Sequence, residues 1–231
     1  MRVDVMGATG GGIVRMMQLP FADREEAGQE LAQALESLAL ERPLVLAVPR
    51  GGLAVAAPVA KALGGALDVI VVRKIGAPMQ PELGVGAVGA SGPVWLDERL
   101  VGMLGITPDQ LQREIDAQRA EARRRVETYR SGVPTLAVEG REVVVVDDGI
   151  ATGGTVIAAG RLLRSLGARR LILAVPVAPA EGVRRAAEVY DEVVAPNTPE
   201  PFYAVGQWYR DFHQVSDDEV KALLAGVSQD R

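Results

Sequence analysis

The chain has 231 residues, of which 48% are hydrophobic, and a formal net charge of −5. This length and apolar content suffice for one α/β domain with an appendage. The sequence contains no cysteine, which excludes disulfides and thiolate catalysis, and its negative charge argues against nucleic acid as a partner. With no apolar stretch of membrane-spanning length and no signal peptide, we expect a cytoplasmic protein without a membrane partner.

The beginning of the chain predicts no convincing helix, strand or binding motif. Residues 2–12 imitate the start of a dinucleotide-binding fold, but the apolar stretch is short and no strand with a ribose-binding acid follows. We therefore predict a poorly ordered extension at 1–20, whose role is left open. An α/β core should follow at 21–195, and an aromatic segment with a final helix at 196–231 should belong to the same domain.

The first buried strand is predicted at residues 43–48, and a glycine turn follows it. The turn reads Pro49-Arg50-Gly51-Gly52 and leads into a helix of small residues. An arginine can bind two phosphate oxygens at once, and glycines let backbone N–H groups approach a ligand closely. The alternative interpretation is a β-turn with a solvated arginine.

A second apolar run, residues 67–72, predicts a central strand that ends in Arg73-Lys74. The chain has 22 arginines and only three lysines, so a lysine at this position is less expected as surface filler. Neighbouring strand residues point in opposite directions, so only one of the two should reach a site. We choose Lys74, which lies beyond the apolar run. A solvated strand terminus is the alternative.

Residues 75–92 are dense in glycine and proline, which predicts a mobile loop that is partly a hairpin. Glu82 lies within this segment. It could contribute charge to a neighbouring site, although a solvated loop glutamate is the simpler interpretation.

The most informative stretch is Val143 to Thr155. Four valines predict a strand buried on both faces of a parallel sheet, and Asp147-Asp148 follows directly. Ligands bind at the carboxyl ends of such strands. The next loop is rich in glycine and threonine and enters a helix predicted at 156–166, an arrangement that favours a phosphate group.

The acids beside a phosphate loop are explained by a ligand that also carries hydroxyl groups. Ionised carboxylates only accept hydrogen bonds, and vicinal sugar hydroxyls donate them. A ribose 5-phosphate group meets both demands. The bland alternative is an ordinary strand, turn and helix with an acidic cap.

Further elements follow the same alternating order. A capping box at Thr107 opens a long helix to about residue 129, and strands are predicted at 170–177 and 191–194. Repeated β-α units predict a doubly wound, mainly parallel sheet with helices on both faces. The end of the long helix is basic, with nearby acids such as Glu121. A solvated, salt-bridged helix is favoured there over an RNA contact or a subunit interface.

Most aromatic residues gather within residues 199–213, in a chain that is only 4% aromatic. Their rings could stack on a nucleobase or another planar acceptor, or they could pack the segment onto the sheet. The single histidine, His213, ends this stretch. A lone histidine with no placed partner is mostly structural or exposed, and its role is left open.

Over about residues 21–225 the chain resembles the type I phosphoribosyltransferases. The resemblance rests on the signature at Val143 to Thr155, on the Arg50 loop, on Lys74 and on the glycine-rich segment, which occur in the family's order. One departure is Gly149, which stands where the family has an aliphatic residue. It predicts a turn that is more flexible or shaped for closer ligand approach.

The resemblance implies roles for individual residues. Asp147 and Asp148 would hold the ribose hydroxyls and, with Lys74, act in catalysis. The 5′-phosphate would be wrapped by Ala151, Thr152, Gly153, Gly154 and Thr155. Pyrophosphate would be held by Arg50, Gly51, Gly52 and Lys74. Residues 75–92 would form a flexible hairpin lid that includes Glu82, and the C-terminal segment would form a small hood.

The implied activity is transfer of the 5-phosphoribosyl group from phosphoribosyl pyrophosphate to a nitrogenous acceptor, with release of pyrophosphate, in nucleotide metabolism. A nucleobase is one candidate acceptor. Mg²⁺ is the implied cofactor, held through the substrate and through Asp147 or Asp148 if any protein group binds it. Homodimers are common among similar enzymes. The alternatives are a non-catalytic regulator that binds phosphoribosyl pyrophosphate and a phosphatase or nucleotidase with the same phosphate cradle.

Overall fold

The computed structural model describes residues 19–130 and 137–228. Most of the predicted N-terminal extension, residues 1–18, therefore lies outside the described residues. The strands in chain order are β1 (Leu44–Ala47), β2 (Ala66–Val69), β3 (Val72–Ala77), β4 (Gln80–Gly89), β5 (Val94–Leu96), β6 (Glu142–Val146), β7 (Arg170–Ala174) and β8 (Glu192–Val194). The α-helices are α1 (Arg24–Leu35), α2 (Gly51–Ala62), α3 (Glu98–Met103), α4 (Pro108–Arg130), α5 (Gly154–Ser165), α6 (Ala180–Ala186) and α7 (Asp217–Ser228).

A five-stranded parallel sheet with the order β2-β1-β6-β7-β8 forms the centre of the fold. The register sets Ala47 opposite both Val69 and Val146, so the carboxyl ends of β1, β2 and β6 lie level. The loops that follow these strands therefore start from one edge of the sheet, where ligands bind in open α/β folds.

The valines of β6 show why the sheet is covered on both faces. Val144 and Val146 belong to the core beneath α2, whereas Val143 and Val145 belong to the core beneath α5. All four side chains are fully buried. The run without polar alternation is thus a central strand packed on both sides, and the predicted doubly wound α/β fold is confirmed.

The predicted strand at 67–72 is wrong in its extent. β2 ends at Val69 and is the edge strand of the parallel sheet, and β3 begins at Val72 in a separate antiparallel sheet. The break is invisible in the sequence because the linking Ile70 and Val71 are buried in the two opposite cores and continue the apolar run. Lys74 consequently lies inside β3, not at the carboxyl end of a central strand.

The segment at 75–92 is largely strand. β4 pairs with β3 and β5, and this three-stranded sheet packs against α4 through a cluster that includes Ile75 and Ile115. Its glycines serve close packing. A Cβ at Gly76 would lie 2.5 Å from the Pro81 carbonyl oxygen, and one at Gly86 would lie 2.5 Å from that of Trp95. The glycine density that predicted a loop thus belongs mainly to a tightly paired hairpin.

Within the two described ranges, no helix combines the length and the apolar character needed to cross a membrane.

Candidate functional site

The acid pair directly follows β6, at the carboxyl edge of the parallel sheet. Asp147 and Asp148 are both partly buried, and Oδ1 of Asp147 accepts a 2.9 Å hydrogen bond from the Asp148 amide. Burial raises the pKa of Asp147 well above its usual range, and the neighbouring Asp148 carboxylate raises it further. Two carboxylates held this close need hydrogen-bond donors to stabilise their ionised forms.

Arg24 supplies one donor. At the start of α1, its Nε lies 2.9 Å from Oδ2 of Asp148, and both side chains are largely withdrawn from water, at 9% and 15% exposure. Burial raises the pKa of Asp148, while the hydrogen bond and charge of Arg24 oppose that rise. Asp148 is therefore the more readily ionised acid of the pair, and its Oδ2 is already bound within the protein.

The Arg50 loop lies against the same acids. A Cβ at Gly51 would stand 2.0 Å from Oδ2 of Asp148, and a Cβ at Gly52 would stand 2.9 Å from the Asp147 Cα. Glycine is required at both positions because any side chain would collide with the acid pair. The structure therefore brings the predicted ribose and pyrophosphate segments into contact.

The predicted phosphate loop leads from the acids into α5. Gly153 adopts a left-handed conformation with φ +78°, and no side chain caps the helix that begins at Gly154. Its neighbours Ala151, Thr152 and Thr155 are exposed. An open helix N-terminus preceded by a left-handed glycine is suited to binding a phosphate through backbone N–H groups.

The C-terminal segment explains the departure at Gly149. A Cβ there would lie 2.6 Å from Cγ1 of Val205, and the Tyr209 hydroxyl donates a 2.6 Å hydrogen bond to the Asp148 carbonyl oxygen. The close approach that glycine permits is therefore made by residues of the chain itself. The segment after β8 holds the acid-bearing turn from outside the sheet.

Arg50 directs its side chain toward the start of α7. Its Nη1 lies 3.6 Å from Oδ1 of Asp217, and about a third of the Arg50 side chain is exposed. The pair is too long for a hydrogen bond and leaves the guanidinium available to another anion.

Arg73 and Lys74 lie on opposite faces of β3, as the strand geometry predicts. Arg73 Nε donates a 3.0 Å hydrogen bond to Gln118 of α4. Lys74 is exposed, and its side chain passes over Gly84 on β4, where a Cβ would come within 3.0 Å of it. The side chain of Glu82, predicted to act in the lid, lies outside the described residues.

The aromatic segment packs largely on itself and on the beginning of the described chain. Phe21 and Tyr209 are buried with ring centroids 5.4 Å apart, and Phe202 contacts Trp208 at 6.0 Å. Phe212 lies over the guanidinium of Arg24, with its centroid 3.9 Å from Cζ. These rings therefore pack on one another, on Phe21 and on Arg24, whereas Tyr203 of the same segment is 81% exposed, and stacking on a planar acceptor stays a prediction.

His213 is exposed and lies between two carboxylates. Its ring nitrogens are 3.1 Å from Asp211 and 3.3 Å from Glu219, and these hydrogen bonds raise the pKa of the imidazole. Its carbonyl oxygen accepts a 2.8 Å hydrogen bond from Arg24. His213 thus contributes to the site through its backbone.

Sequence reasoning missed Arg24 and Tyr209. Arg24 stands in the acidic first turn of a helix, next to its N-cap Asp23, and Tyr209 stands in an aromatic cluster. Arg24 meets Asp148 across 124 positions of sequence, and no local pattern signals such a pairing.

The described residues contain no cluster of three or more metal-ligating side chains. The adjacent carboxylates of Asp147 and Asp148 are nevertheless hard oxygen ligands. They suit a Mg²⁺ ion that takes most of its coordination from substrate oxygens and water, which is the usual manner of magnesium binding.

Comparison with known proteins agrees with this geometry. Residues 23–205 match the family model described as a phosphoribosyl transferase domain. A Mycobacterium tuberculosis protein with the name "Putative phosphoribosyl transferase" is 46% identical over 210 residues, which cover 91% of this chain and 47% of that protein. The chain thus spans about half the length of this relative. A ribose-phosphate pyrophosphokinase of Thermococcus kodakarensis is 33% identical over 139 residues, which cover 58% of this chain and 47% of the relative.

A solved structure shows the same fold. The crystal structure of TT1426 from Thermus thermophilus is 46% identical and superposes with a TM-score of 0.85, covering 90% of this chain and 99% of that one. The family match extends over most of the described chain and includes the Arg50 loop, the acid pair and the phosphate loop. The chain is a member of the type I phosphoribosyltransferase family.

Proposed function

We propose that the protein transfers the 5-phosphoribosyl group from phosphoribosyl pyrophosphate to a nitrogen nucleophile and releases pyrophosphate. The observation that carries this proposal is the meeting of two loops at one sheet edge. The Arg50 loop touches Asp147 and Asp148 through its glycines, and the phosphate loop continues from the same acids into α5.

The donor would lie along these loops in the order of its own groups. Backbone N–H groups at 151–155 would bind the 5′-phosphate, and the carboxylates of Asp147 and Asp148 would accept hydrogen bonds from the ribose hydroxyls. Since Arg24 already holds Oδ2 of Asp148, the remaining oxygen of that acid would face the ribose. Arg50 and Lys74 would bind the pyrophosphate.

The reaction breaks the bond between C1 of the ribose and the pyrophosphate oxygen, which leaves with the electron pair. A bond forms between C1 and the acceptor nitrogen, and the acceptor loses a proton. C1 becomes cationic during this exchange, and the acid pair would stabilise the charge from a fixed position. Arg50 and Lys74 would stabilise the departing anion.

Magnesium, when bound, neutralises charge on the leaving pyrophosphate. Asp147 or Asp148 would be its protein ligand. The three-stranded sheet of β3, β4 and β5 would exclude water from the cationic centre.

The proposal is tested by incubating the full chain with phosphoribosyl pyrophosphate, Mg²⁺ and a panel of nitrogen acceptors while measuring released pyrophosphate. Acceptor-dependent release of pyrophosphate supports the transferase. Binding of the donor without release would identify a non-catalytic regulator, and release of orthophosphate without any acceptor would identify a phosphatase.

A further inference from the structure

A polar cavity of about 460 Å³ adjoins the Arg50 loop on the side of α4 and α7. Arg50 forms one wall, and Asp217 at the start of α7 forms another. The last turns of α4 supply Arg124, Arg125 and Tyr129 to the remaining wall. This volume is that of a small-molecule site.

The cavity begins one residue away from the acid pair. Gly51 lies directly against Asp148, since a Cβ there would stand 2.0 Å from Oδ2 of that acid. Arg50 precedes Gly51, and the Cα atoms of consecutive residues are about 3.8 Å apart. A ribose bound by Asp148 would therefore have the Arg50 wall of the cavity beside it, within reach of a substituent on the sugar.

Two arginines of this cavity are held in place by one acid. Glu121 accepts hydrogen bonds of 2.8 and 2.9 Å from Arg124 and one of 2.8 Å from Arg125. These bonds, first those of Arg124, lower the pKa of Glu121 to about 2, so it is ionised at neutral pH. Within the described residues they leave Nη1 of Arg124 and both terminal nitrogens of Arg125 for other acceptors. The arginines are therefore oriented before an anion arrives, which lowers the entropic cost of binding it.

Tyr129 adds a hydroxyl donor to the same wall. The residue is 8% exposed, and within the described residues its hydroxyl makes no hydrogen bond. Burial, and then the charge of Asp217, raise the pKa of Tyr129 above its usual value, so the hydroxyl keeps its proton at neutral pH. The other charges that act on this hydroxyl are those of the lining arginines, which places it toward the cavity. A buried hydroxyl in this position is suited to donate to a ligand.

Asp217 is the acid that faces these cations. Its Oδ1 lies 3.6 Å from Nη1 of Arg50, which is too far for a hydrogen bond, and 46% of its side chain is exposed. Ion pairs this exposed to water are weak. A ligand with more than one negative charge would therefore replace Asp217 as the partner of Arg50, against the repulsion of that carboxylate.

The donors and charges together favour a ligand with several anionic oxygens. Three guanidinium groups reach the cavity from two sides, and each can bind two phosphate oxygens at once. A single carboxylate would leave part of these donors unused, whereas the two phosphoryl groups of a pyrophosphate would engage the Arg50 loop and α4 together. Lys74, the other cation assigned to pyrophosphate, lies on β3 in the separate sheet and is not among the residues that line this cavity.

A second cavity, of about 540 Å³, offers no comparable site. It lies at the far end of α5, where Arg161 stacks on Trp95 at 4.1 Å and Arg164 pairs with Asp191 at 2.6 Å. Both guanidiniums are engaged by the protein, and the length of α5 separates them from the phosphate loop. The cavity beside Arg50 is therefore the one that can extend the site of the donor.

We propose that Arg124, Arg125 and Tyr129 complete the pyrophosphate site and bind the terminal phosphate of the donor from the side of α4, and that Asp217 competes with the pyrophosphate for Arg50. This inference rests on the proposed transferase function and adds binding residues to it. The three residues of α4 then distinguish a donor that carries pyrophosphate from a sugar that carries the 5′-phosphate alone.

The first test is calorimetric titration of the full chain, with Mg²⁺, by phosphoribosyl pyrophosphate and separately by ribose 5-phosphate. We expect Arg124→Gln/Arg125→Gln to bind phosphoribosyl pyrophosphate about tenfold or more weakly, through lost charged hydrogen bonds, and to bind ribose 5-phosphate as the wild type does. The control is Arg113→Gln/Arg169→Gln, which removes the same charge from exposed positions and should leave both affinities nearly unchanged.

Three results would overturn the inference. In the first, Arg124→Gln/Arg125→Gln binds phosphoribosyl pyrophosphate as tightly as the wild type does. In the second, that variant loses affinity for ribose 5-phosphate to the same extent, which would give the arginines a general structural role. In the third, pyrophosphate binds the wild type without displacing phosphoribosyl pyrophosphate, which would place the cavity outside the donor site. Failure of the proposed function is a different result, namely no binding of phosphoribosyl pyrophosphate to the wild type.

Two single substitutions test the other walls, and they should act in opposite directions. Tyr129→Phe keeps the packed ring and removes the hydroxyl, so the affinity for phosphoribosyl pyrophosphate should fall by about threefold or more. Asp217→Asn removes the competing carboxylate, so the same affinity should rise by about two- to fivefold, a gain that damage to the fold would not produce. Unchanged affinity in Tyr129→Phe would remove that residue from the site, and equal or weaker binding by Asp217→Asn would refute the competition.

Discussion

The acid pair and the phosphate loop are neighbours in the sequence, yet their surroundings differ sharply. Asp147 and Asp148 are enclosed by Arg24, by the glycines of the Arg50 loop and by Tyr209. In the phosphate loop, a Cβ at Gly154 would meet nothing within 4 Å. The part of the site assigned to the reacting sugar is thus fixed by the protein, whereas the part assigned to the phosphate is open to a ligand.

The largest expected effect on stability comes from removing Arg24, which tests whether this residue fixes the acid pair. Arg24→Met leaves Asp148 as a largely buried charge without its partner, so we expect a loss of about 3 kcal/mol in the free energy of unfolding. Urea unfolding at neutral pH measures it. The double variant Arg24→Met/Asp148→Asn removes both charges and should recover much of the loss. A double variant as unstable as the single one would show that the ion pair does not hold the turn.

The second prediction compares the room that each region has for one added methyl group, using a glycine-to-alanine substitution in each. Gly52→Ala places a Cβ 2.8 Å from the Val146 carbonyl oxygen and should cost about 1–3 kcal/mol of unfolding free energy through overpacking. Gly154→Ala is the matched control, since its Cβ meets open space, and it should be neutral or stabilising by up to about 1 kcal/mol. If urea unfolding shows equal losses of unfolding free energy for the two variants, the acid pair is no more tightly enclosed than the phosphate loop.

The contact of the C-terminal segment with Gly149 can be tested by rescue. Gly149→Ala should cost about 1 kcal/mol because its Cβ would lie 2.6 Å from Cγ1 of Val205. The Gly149→Ala/Val205→Ala variant lacks the two Val205 methyl groups that lie nearest to this Cβ, at 2.6 and 3.0 Å, and keeps Cγ1 of Val177 at 3.1 Å. A double-mutant cycle should therefore show a favourable coupling. Strictly additive losses would mean that Val205 does not fill this space.

The smallest expected effect is a gain in the free energy of unfolding on replacing Asp147 by asparagine. Because burial and Asp148 raise the pKa of Asp147 in the folded state, the folded protein binds that proton more tightly than the unfolded chain does. This acid therefore destabilises the fold increasingly as the pH rises from its unfolded pKa of about 3.9 through the folded pKa. Asp147→Asn should stabilise the protein at neutral pH by on the order of 1 kcal/mol.

The gain from Asp147→Asn should shrink as the pH falls and should vanish below about 4, where the wild-type carboxyl is protonated in both states. Unfolding curves across this pH range measure the difference between variant and wild type. A difference that stays constant with pH would contradict the raised pKa of Asp147.

The sequence predicted the features that are local along the chain. The valines of β6, the acids after them and the glycines before α5 are consecutive, and each has its own physical preference for strand, carboxylate pair or phosphate turn. The break between Val69 and Val72 escaped prediction because Ile70 and Val71 keep the apolar run intact across it. A switch in packing from one core to the other, as at Ile70 and Val71, leaves no periodic pattern in the sequence that could reveal it.

The contacts that enclose Asp147 and Asp148 also could not be predicted from the sequence. Arg24 and Tyr209 reach Asp148 from 124 and 61 positions away, respectively, and only the folded chain brings them together. Gly149 was visible as a departure from the family pattern, but its cause, the side chain of Val205, required the structure. Long-range packing thus decided which features of the site are held rigid.

The most direct test of the central claim is calorimetric titration of phosphoribosyl pyrophosphate, with Mg²⁺, into the wild type and Asp147→Asn. If the acid pair accepts the ribose hydroxyls, the wild type binds the donor and the variant binds it about 10- to 100-fold more weakly, the range for hydrogen bonds to a charged group. Equal affinities for wild type and variant, or no binding by the wild type, would contradict the account.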